Sequence, residues 1–389
     1  MDVQKMKMLI KQIRGVSYKP DDLHDTLGEN SIILLRANNI ADGQINFDDV
    51  VYVDRRKVSK EQILQRGDIL ICASSGSKNL VGKAAAVNFE QETTFGAFCK
   101  VVRPNCLDDA EYIAMYFQSP IYRREISAVA IGININNIRN EHIDSLSVNW
   151  PNSANRHQAV DVLAKIDSII RRREAELRKL DDLIKARFIE MFGDPMLNDK
   201  GFSLKKYGDV FELNAGGTPS KNHPEYWEGG TISWIGSNMC QDRYIYENDG
   251  KYITQEGYDN SSARLFPVNT VLVALVGATI GKTALLKFET TTNQNVLGIR
   301  GIRESGYLPE FVYYYTQGLY KKFIGISDGG FSMASKGFIS ELPIPVVSTA
   351  LQEEFTDFAN QVDKSKVAVQ KALDEAQLLF DGLMQQYFG

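Results

Sequence analysis

The chain has 389 residues, of which 43% are hydrophobic and 24% are charged. This is the balance of an ordinary globular protein with buried cores, and the length predicts two or three structural units rather than one. The four cysteines show no C-x-x-C spacing and the four histidines no H-E-x-x-H motif, which argues against a structural zinc site. The longest apolar stretch, residues 270–278, is far shorter than the ~20 residues that span a bilayer. Residues 1–13 lack the apolar core of a signal peptide, so we expect a cytoplasmic protein with no membrane partner.

Most of the net charge of −5 comes from residues 346–389, which carry 3 basic and 7 acidic side chains, whereas the two globular segments are each close to neutral. Residues 1–150 carry 18 basic and 19 acidic side chains, and residues 195–345 carry 14 and 15. Phosphate neutralisation dominates the affinity of proteins for nucleic acid. A DNA-binding role would therefore need a local basic surface or a second, basic protein.

Residues 1–152 form the first predicted domain, which is rich in strands. The segment 67–73 is a short apolar run between turn residues and predicts a buried strand, with further strand character at 33–38. A tyrosine-rich helical patch follows at 112–122. The polar turns between these elements supply the side chains that we expect to contact DNA in this domain: Tyr18, Lys19, Arg36, Asn38, Ser75, Lys78 and Lys83.

The polar segment 132–140 near the end of this domain has two interpretations. It contains Asn134, Asn136, Asn137 and Arg139, and such side chains can contact adenine (Asn) or guanine (Arg) through two hydrogen bonds each. Asparagine and glycine also build turns without any binding role. The matching stretch of the second half, 329–336, has a different composition, as expected if each half reads a different sequence.

A long helix is predicted at 153–194, where apolar residues recur in a heptad pattern over residues 155–192. Arg173 and Arg187 interrupt the pattern, and Gly193 and Pro195 end the helix. The expected core residues of this helix are Leu163, Ile166, Ile170, Leu177, Leu180 and Ile184.

Residues 195–346 form the second predicted domain, and its segments correspond to those of the first. The segments 217–221, 233–238, 271–275 and 311–320 match 15–19, 33–38, 67–73 and 112–122. The side chains that we expect to contact DNA here are Thr218, Ser220, Lys221, Ser237, Asn238, Thr279, Lys282, Ser332, Ser335 and Lys336.

The turn at 277–283, Gly-Ala-Thr-Ile-Gly-Lys-Thr, is superficially similar to a phosphate-binding loop. That loop needs four residues between its glycines, and only three are present. The matching Gly82-Lys83 is followed by alanine, where a magnesium-binding hydroxyl would be required. The segment therefore predicts a tight hairpin, either presenting Lys282 to a phosphate backbone or serving as a purely structural turn.

A second long helix is predicted at 347–389, and its closing phrase repeats that of the first helix 196 residues earlier. Lys366 lies at a different layer from Arg173 and Arg187, which favours pairing of the two helices with each other in an antiparallel direction. The expected core residues of the second helix are Phe355, Val362, Val369, Leu373, Phe380 and Leu383.

This layout resembles the specificity subunit of type I restriction–modification systems. The resemblance rests on the two-copy arrangement, the Gly-Lys turn at 277–282, the Leu-Pro-Ile-Pro segment at 342–345, the helix start at 352–355 and the Phe-Gly helix ends at 192–193 and 388–389. It implies an α+β fold with two similar strand-rich target recognition domains, separated by two long antiparallel coiled-coil helices in a pseudo-two-fold arrangement.

The resemblance also implies a function without catalysis by this chain. Each domain would read one half of a bipartite double-stranded DNA target. The helices would set the spacer and dock two modification (methyltransferase) subunits, and a restriction and motor subunit would join for cleavage. No cofactor is then expected on this chain, since S-adenosylmethionine and ATP belong to the partner subunits.

Two alternatives of other classes stay open on the sequence. One is a fragment of a DNA adenine methyltransferase or restriction fusion enzyme whose catalytic part lies outside these residues. The other is a coiled-coil adaptor scaffold without any DNA role.

Overall fold

The computed structural model describes residues 2–77, 79–129, 136–325 and 333–389, and for Asn136 the backbone alone. The chain divides into two compact units. The first comprises residues 1–174 together with 370–389, and the second comprises residues 175–369. Each unit thus contains one globular part and portions of both long helices.

The first unit is built on fourteen described strands and three short helices. The strands are β1 (Val3–Lys5), β2 (Ile10–Arg14), β3 (Leu23–His24), β4 (Ser31–Leu35), β5 (Ile40–Ala41), β6 (Gln44–Ile45), β7 (Val51–Asp54), β8 (Ile69–Cys72), β9 (Ser74–Ser75), β10 (Ala84–Ala86), β11 (Thr93–Phe95), β12 (Cys99–Pro104), β13 (Asn136–Asn137) and β14 (Ser147–Asn149). The helices are α1 (Ala110–Gln118), α2 (Pro120–Val129) and α3 (Asn140–Asp144), followed by the long helix α4 (Ser153–Phe192).

Two four-stranded sheets form the centre of this unit. One has the strand order β10-β8-β12-β2 and the other the order β11-β4-β7-β3. The strand β8 is buried on both faces because its side chains alternate between two cores. Ile69 and Ile71 pack into the core that contains α1, and Leu70 and Cys72 pack into the core toward the second sheet.

The second unit repeats this plan. Its strands are β15 (Leu204–Lys206), β16 (Glu212–Ala215), β17 (Ile232–Ile235), β18 (Arg243–Ile245), β19 (Tyr252–Ile253), β20 (Leu265–Phe266), β21 (Val271–Ala274), β22 (Thr283–Leu286), β23 (Thr290–Thr292), β24 (Val296–Arg300) and β25 (Pro343–Pro345). Its helices are α5 (Tyr207–Val210), α6 (Gln255–Asp259), α7 (Pro309–Gly318), α8 (Tyr320–Ile324), α9 (Lys336–Ser340) and the long helix α10 (Thr349–Phe388). The central sheets have the orders β16-β24-β21-β22-β18 and β19-β17-β23-β20.

Equivalent backbone hydrogen bonds align the two units residue by residue. The amide of Cys72 bonds to the carbonyl of Lys83, and the amide of Ala274 bonds to that of Lys282, both at 2.9 Å. Each unit also has one parallel pair joining its second sheet, β4 with β11 and β17 with β23. The internal repeat predicted from the sequence is therefore present in the strand topology.

One detail of the repeat differs from the sequence alignment. Val16 donates its amide to Phe95, and Gly217 donates its amide to Thr292 in the equivalent place. Gly15 therefore corresponds to Gly216 and not to Gly217. Both glycines leave no room for a Cβ, because the backbone of the neighbouring strand lies too close. The Gly-Gly pair at 216–217 hides this one-residue difference from an alignment based on sequence.

The two long helices run in opposite directions in both units. In the first unit, Leu163 of α4 shares a core with Met384 and Phe388 of α10. In the second unit, the Nζ of Lys366 lies 2.6 Å from the carboxylate of Asp181. The predicted antiparallel pairing of two long helices is confirmed.

The expected core positions of the helices are all at least half-buried. Buried in the structure are Leu163, Ile166, Ile170, Ile184, Phe355, Val362 and Val369. Half-buried are Leu177, Leu180, Leu373, Phe380 and Leu383. Helix α4 ends at Phe192 because Gly193 takes the left-handed backbone conformation, with φ of 80°.

None of the helices in the described part of the chain is long and apolar enough to cross a membrane.

Candidate nucleic-acid interface

The parallel strand pairs bring several loops to one edge of each unit. Because β4 and β11 are parallel, the loops after their carboxyl ends, 36–38 and 96–98, emerge on the same side. The amide of Gly96 bonds to the carbonyl of Leu35 at 2.9 Å and ties these two loops together. Loops at a shared sheet edge are where side chains from distant parts of a chain converge on a ligand.

The first loop cluster, residues 16–18, 36–38, 74–76 and 96–98, encloses a cleft of about 630 Å³. The cleft contains four of the side chains that the sequence predicts as DNA contacts: Tyr18, Arg36, Asn38 and Ser75. Phe98 also lines it and is 69% exposed. The cluster combines an arginine, an amide, hydroxyl groups and an aromatic ring within one cleft.

A buried asparagine fixes the loop that carries Arg36. Asn39 is fully buried, and its side-chain oxygen accepts a hydrogen bond from the Arg36 amide at 2.8 Å. Its side-chain nitrogen donates to the carbonyl oxygens of Asn46 and Asp49, at 3.2 and 3.1 Å. The loop 36–39 is thereby fastened to the segment 46–49.

The carboxylate of Asp49 accepts hydrogen bonds from both polar side chains of this loop. The Nη2 of Arg36 donates to Asp49 Oδ2 at 2.9 Å, and the Nδ2 of Asn38 donates to the same oxygen at 2.7 Å. The ion pair lies at the surface, with Arg36 35% and Asp49 72% exposed. Such an exposed pair contributes little to stability but restricts the orientation of the guanidinium group.

The second loop cluster is the equivalent set in the second unit: residues 217–219, 236–238, 276–278 and 293–295. The Thr218 hydroxyl donates a hydrogen bond to the side-chain oxygen of Gln294, which joins two of these loops. Asn238 is exposed, and Ser237 and Asn295 are half-exposed. Where the first cluster has an arginine and a phenylalanine, this cluster presents amides and hydroxyl groups.

The described residues before each short helix, 137–139 and 333–335, lie beside the corresponding cluster. Asn137 pairs with Ser74 across two short antiparallel strands, and Met333 forms the equivalent bridge with Val276. Arg139 is exposed and precedes α3, and Ser335 caps α9 by accepting a hydrogen bond from the Phe338 amide at 3.0 Å. Ser335 thus has a local structural role.

Other predicted contact residues lie outside the two clusters as defined by their loops. Lys19, Ser220, Lys221 and Lys336 are exposed, and Lys83 and Thr279 are half-buried. The structure adds no contact that distinguishes them from ordinary surface side chains, so their DNA contacts stay predictions.

Lys282 has partners inside its own unit. Its Nζ lies 2.6 Å from the carboxylate of Asp242 and 4.6 Å from the centre of the Tyr320 ring. The turn itself is the tight hairpin between β21 and β22 that the sequence predicts, with Gly281 at φ of 75°. The predicted phosphate contact of Lys282 would have to compete with this ion pair.

Three predicted contact residues, Lys78, Asn134 and Ser332, fall outside the described residues. Asn136 is described only through its backbone, which pairs with Ser75.

Two residues at this site are not predicted from the sequence: Phe98 within the first cluster and Asp49 beside it. Asp49 stands in a turn 13 residues from Arg36, and nothing in its local pattern indicates the shared carboxylate. Phe98 follows a strand and has the character of a core residue, so its exposure is visible only in the fold. Gln294 of the second cluster lies in the polar run 291–295, whose composition fits a binding loop and a structural turn equally well.

The described residues contain no group of three or more His, Cys, Asp or Glu side chains placed to hold a metal ion. Two of the buried thiols are far from reactive. Burial raises the pKa of Cys99 and of Cys240 to about 12, so both stay protonated at neutral pH.

Residues 199–376 match the model of the family described as "Type I restriction modification DNA specificity domain". The chain is 35% identical over 177 residues to the type I restriction enzyme StySPI specificity subunit of Salmonella potsdam, covering 44% of this chain and 37% of that protein. It is 38% identical over 160 residues to the EcoKI specificity subunit of Escherichia coli (strain K12), covering 40% and 34%. The chain thus spans little more than a third of the length of these relatives.

Two solved structures share the fold. The crystal structure of a type I restriction–modification S subunit from M. genitalium superposes with a TM-score of 0.57 at 14% identity, over 100% of this chain and 96% of that one. A chain from the structure described as "Structural basis underlying complex assembly and conformational transition of the type I R-M system" gives a TM-score of 0.56 at 14% identity, over 99% and 97%. At these identities the likeness concerns the fold alone.

Proposed function

We propose that the chain is a specificity subunit of a type I restriction–modification system, that is, the DNA sequence-recognition and assembly subunit of such a complex. Each globular domain, residues 1–152 and residues 195–346, reads one half of a bipartite double-stranded target. The helices, residues 153–194 and 347–389, set the spacer and dock two modification subunits. A restriction and motor subunit joins the same assembly, in the cytoplasm.

The observation that carries this proposal is the pair of loop clusters on equivalent frames. The backbone hydrogen bonds that hold the loops are the same in both units, whereas the side chains differ, as at Phe98 and Asn295. A scaffold without a DNA role does not require two loop clusters with the same backbone hydrogen bonds and different polar side chains. Direct readout of base edges requires this combination of a rigid frame and variable side chains.

The near-neutral charge of each unit is consistent with DNA being bound jointly by this chain and the modification subunits. Neither unit carries the excess of basic side chains that phosphate binding alone would need. The specificity subunit then supplies base contacts, and the modification subunits supply much of the backbone affinity. In this division the chain itself is not catalytic, and S-adenosylmethionine and ATP are bound by its partners.

The proposal is tested by a domain exchange followed by mapping of methylated adenine. The chain is co-expressed with the modification subunit encoded beside it, and genomic DNA is sequenced by a method that detects the modified base. Replacing residues 1–152 by the equivalent domain of a related subunit changes one half-site and preserves the other half-site and the spacer. The matched exchange of residues 195–346 changes the other half-site.

Two results would overturn the proposal. One is the absence of any methylated motif although both proteins are soluble and co-purify. The other is a change of both half-sites after exchange of a single domain.

A further inference from the structure

We propose that Arg36, oriented by Asp49, reads a guanine in the half-site bound by the first unit, and that the half-site of the second unit is read by amide and hydroxyl groups instead. This inference rests on the proposed function and adds the base chemistry of each half-site. It assigns a specificity-determining role to Arg36 and a positioning role to Asp49.

The donor geometry of Arg36 leaves one edge of the guanidinium group for a ligand. The two bonds to Asp49 both use Nη2, at 2.9 Å to the carboxylate and 3.3 Å to the carbonyl oxygen. The longer bond lies beyond the usual 2.7–3.2 Å range and is easily exchanged. Nη1 and the second N–H of Nη2 are then available to the O6 and N7 acceptors of guanine, the most common specific arginine contact in the major groove.

The remaining nitrogen shows that the guanidinium group is held in place. Arg36 Nε is buried and has no hydrogen-bond partner among the described residues. The side chain therefore does not lie freely over the surface. Since Asn39 also fixes the Arg36 backbone, both ends of the side chain are positioned before any DNA arrives. Such preorganisation favours readout of one base over loose contact with many.

The neighbouring carboxylate favours a base over a phosphate. Asp49 is 72% exposed and lies against the guanidinium group, so an approaching phosphate meets a negative charge as well as a positive one. A guanine edge carries no net charge and is not repelled in this way. An arginine that served only as a phosphate contact would be expected without an exposed carboxylate beside it.

The cleft around Arg36 has the composition of a base-contacting surface. Tyr18 and Ser75 line it together with the exposed ring of Phe98. Aromatic rings such as those of Tyr18 and Phe98 contact the methyl group of thymine or the faces of bases, and they reduce the access of water to the arginine contact.

The second loop cluster lacks this arrangement. Its loops 217–219, 236–238, 276–278 and 293–295 contain no arginine, lysine or aspartate. Gly236 takes the place of Arg36, and Gln294 and Asn295 take the places of Ala97 and Phe98. Asparagine and glutamine pair with adenine through two hydrogen bonds. The two units therefore read different bases through the same backbone frame.

The experiment compares the methylated motifs of complexes that contain Arg36→Gln or Asp49→Asn with the wild-type motif. Arg56→Gln is the matched control, because Arg56 is 88% exposed and pairs with the largely buried carboxylate of Asp54 at the end of β7, at the opposite end of the same sheet. Co-purification with the modification subunit shows that each variant is folded. Duplexes that carry the wild-type motif, with 7-deazaguanine at one guanine at a time, then test the N7 contact directly.

We expect Arg36→Gln to relax one guanine position in one half-site, with roughly a tenfold to a hundredfold loss of preference for guanine. Asp49→Asn relaxes the same position to a smaller extent, and Arg56→Gln leaves the motif unchanged. An unchanged motif in Arg36→Gln overturns the inference, as does a uniform weakening at all positions, which would indicate a phosphate contact. No motif in the wild-type complex overturns the proposed function, and the inference with it.

Discussion

Lys100 is a buried amine directly beneath the segment that carries Asn137 and Arg139. It is 8% exposed, and its Nζ donates to Gln12 Oε1 at 3.0 Å, to Asn140 Oδ1 at 2.7 Å and to the carbonyl of Ile138 at 3.4 Å. These acceptors are neutral, and the nearest carboxylate, Asp144, is bonded to Gln12 rather than to the amine. Burial therefore lowers the pKa of Lys100 to about 8, partly offset by the charge of Asp144. The amine thus holds the base of a predicted recognition segment at a cost in stability.

Because of this cost, we expect the stability of the protein to depend on pH in a way that Lys100→Leu removes. Leucine is chosen because Leu297 occupies the equivalent position in the second unit. The depressed pKa means that the unfolded chain binds more protons than the folded one between pH 8 and 10.4. The free energy of unfolding of the wild type should rise by about 2 kcal/mol between pH 7.5 and 10, relative to the variant. Denaturant titrations of both proteins at the two pH values measure this difference, and parallel curves would contradict it.

The ends of the long helices are held by aromatic packing that the heptad pattern does not describe. Phe188 and Phe192 are not among the core residues that the heptad pattern predicts for α4, yet both are buried. They contact Phe355 of α10, with ring centres 5.1 and 5.6 Å away, and Phe311 of α7. At this end α4 packs on the globular part of the second unit as well as on α10, so its buried face is wider than a coiled-coil seam.

We therefore expect Phe355→Ala to lower the free energy of unfolding by about 3–5 kcal/mol, because it opens a cavity among several rings. Leu378→Ala is the control on the same helix, since Leu378 is 76% exposed and should change stability by less than about 0.5 kcal/mol. Denaturant midpoints of the two variants test the difference. Equal effects would mean that the aromatic cluster is not the main contact of α10 in the second unit.

Both long helices continue from one unit into the other. The division falls between residues 174 and 175 in α4 and between 369 and 370 in α10. Each helix has 40 residues, which corresponds to about 60 Å at 1.5 Å per residue. In the proposed function these helices set the spacer, so their length is the quantity to vary.

Insertion of one apolar-patterned heptad at each of the two division points lengthens both helices by about 10 Å and keeps the register. We expect the spacer of the methylated motif to grow by about three base pairs, at 3.4 Å per pair, with both half-sites unchanged. The motif is read by the same sequencing method. The control is a variant with a heptad inserted in α4 only, which breaks the pairing and should abolish methylation. A double insertion with an unaltered spacer would show that the helices do not set it.

Features that depend on local periodicity can be predicted from the amino-acid sequence. Alternation and apolar runs predict buried strands such as β8 and β21, and the heptads predict the two helices and their antiparallel pairing. The internal repeat can be detected in the sequence because both halves have the same order of elements. The hairpin turn at Gly281 is predicted because only three residues separate Gly277 from Gly281, one fewer than a phosphate-binding loop requires.

Contacts between side chains of distant segments, in contrast, are visible only in the folded chain. The guanidinium group of Arg36 contacts the carboxylate of Asp49 because the chain between them folds back, which no local sequence pattern predicts. Phe98 is exposed, although phenylalanine is usually a core residue. The partner of Lys282 is Asp242, 40 residues away in the chain. Periodicity specifies which face of an element is buried, whereas exposure and pairing at a loop depend on how distant segments pack. For that reason the polar turns predict the candidate site in outline, and the fold shows which of their side chains lie in one cleft.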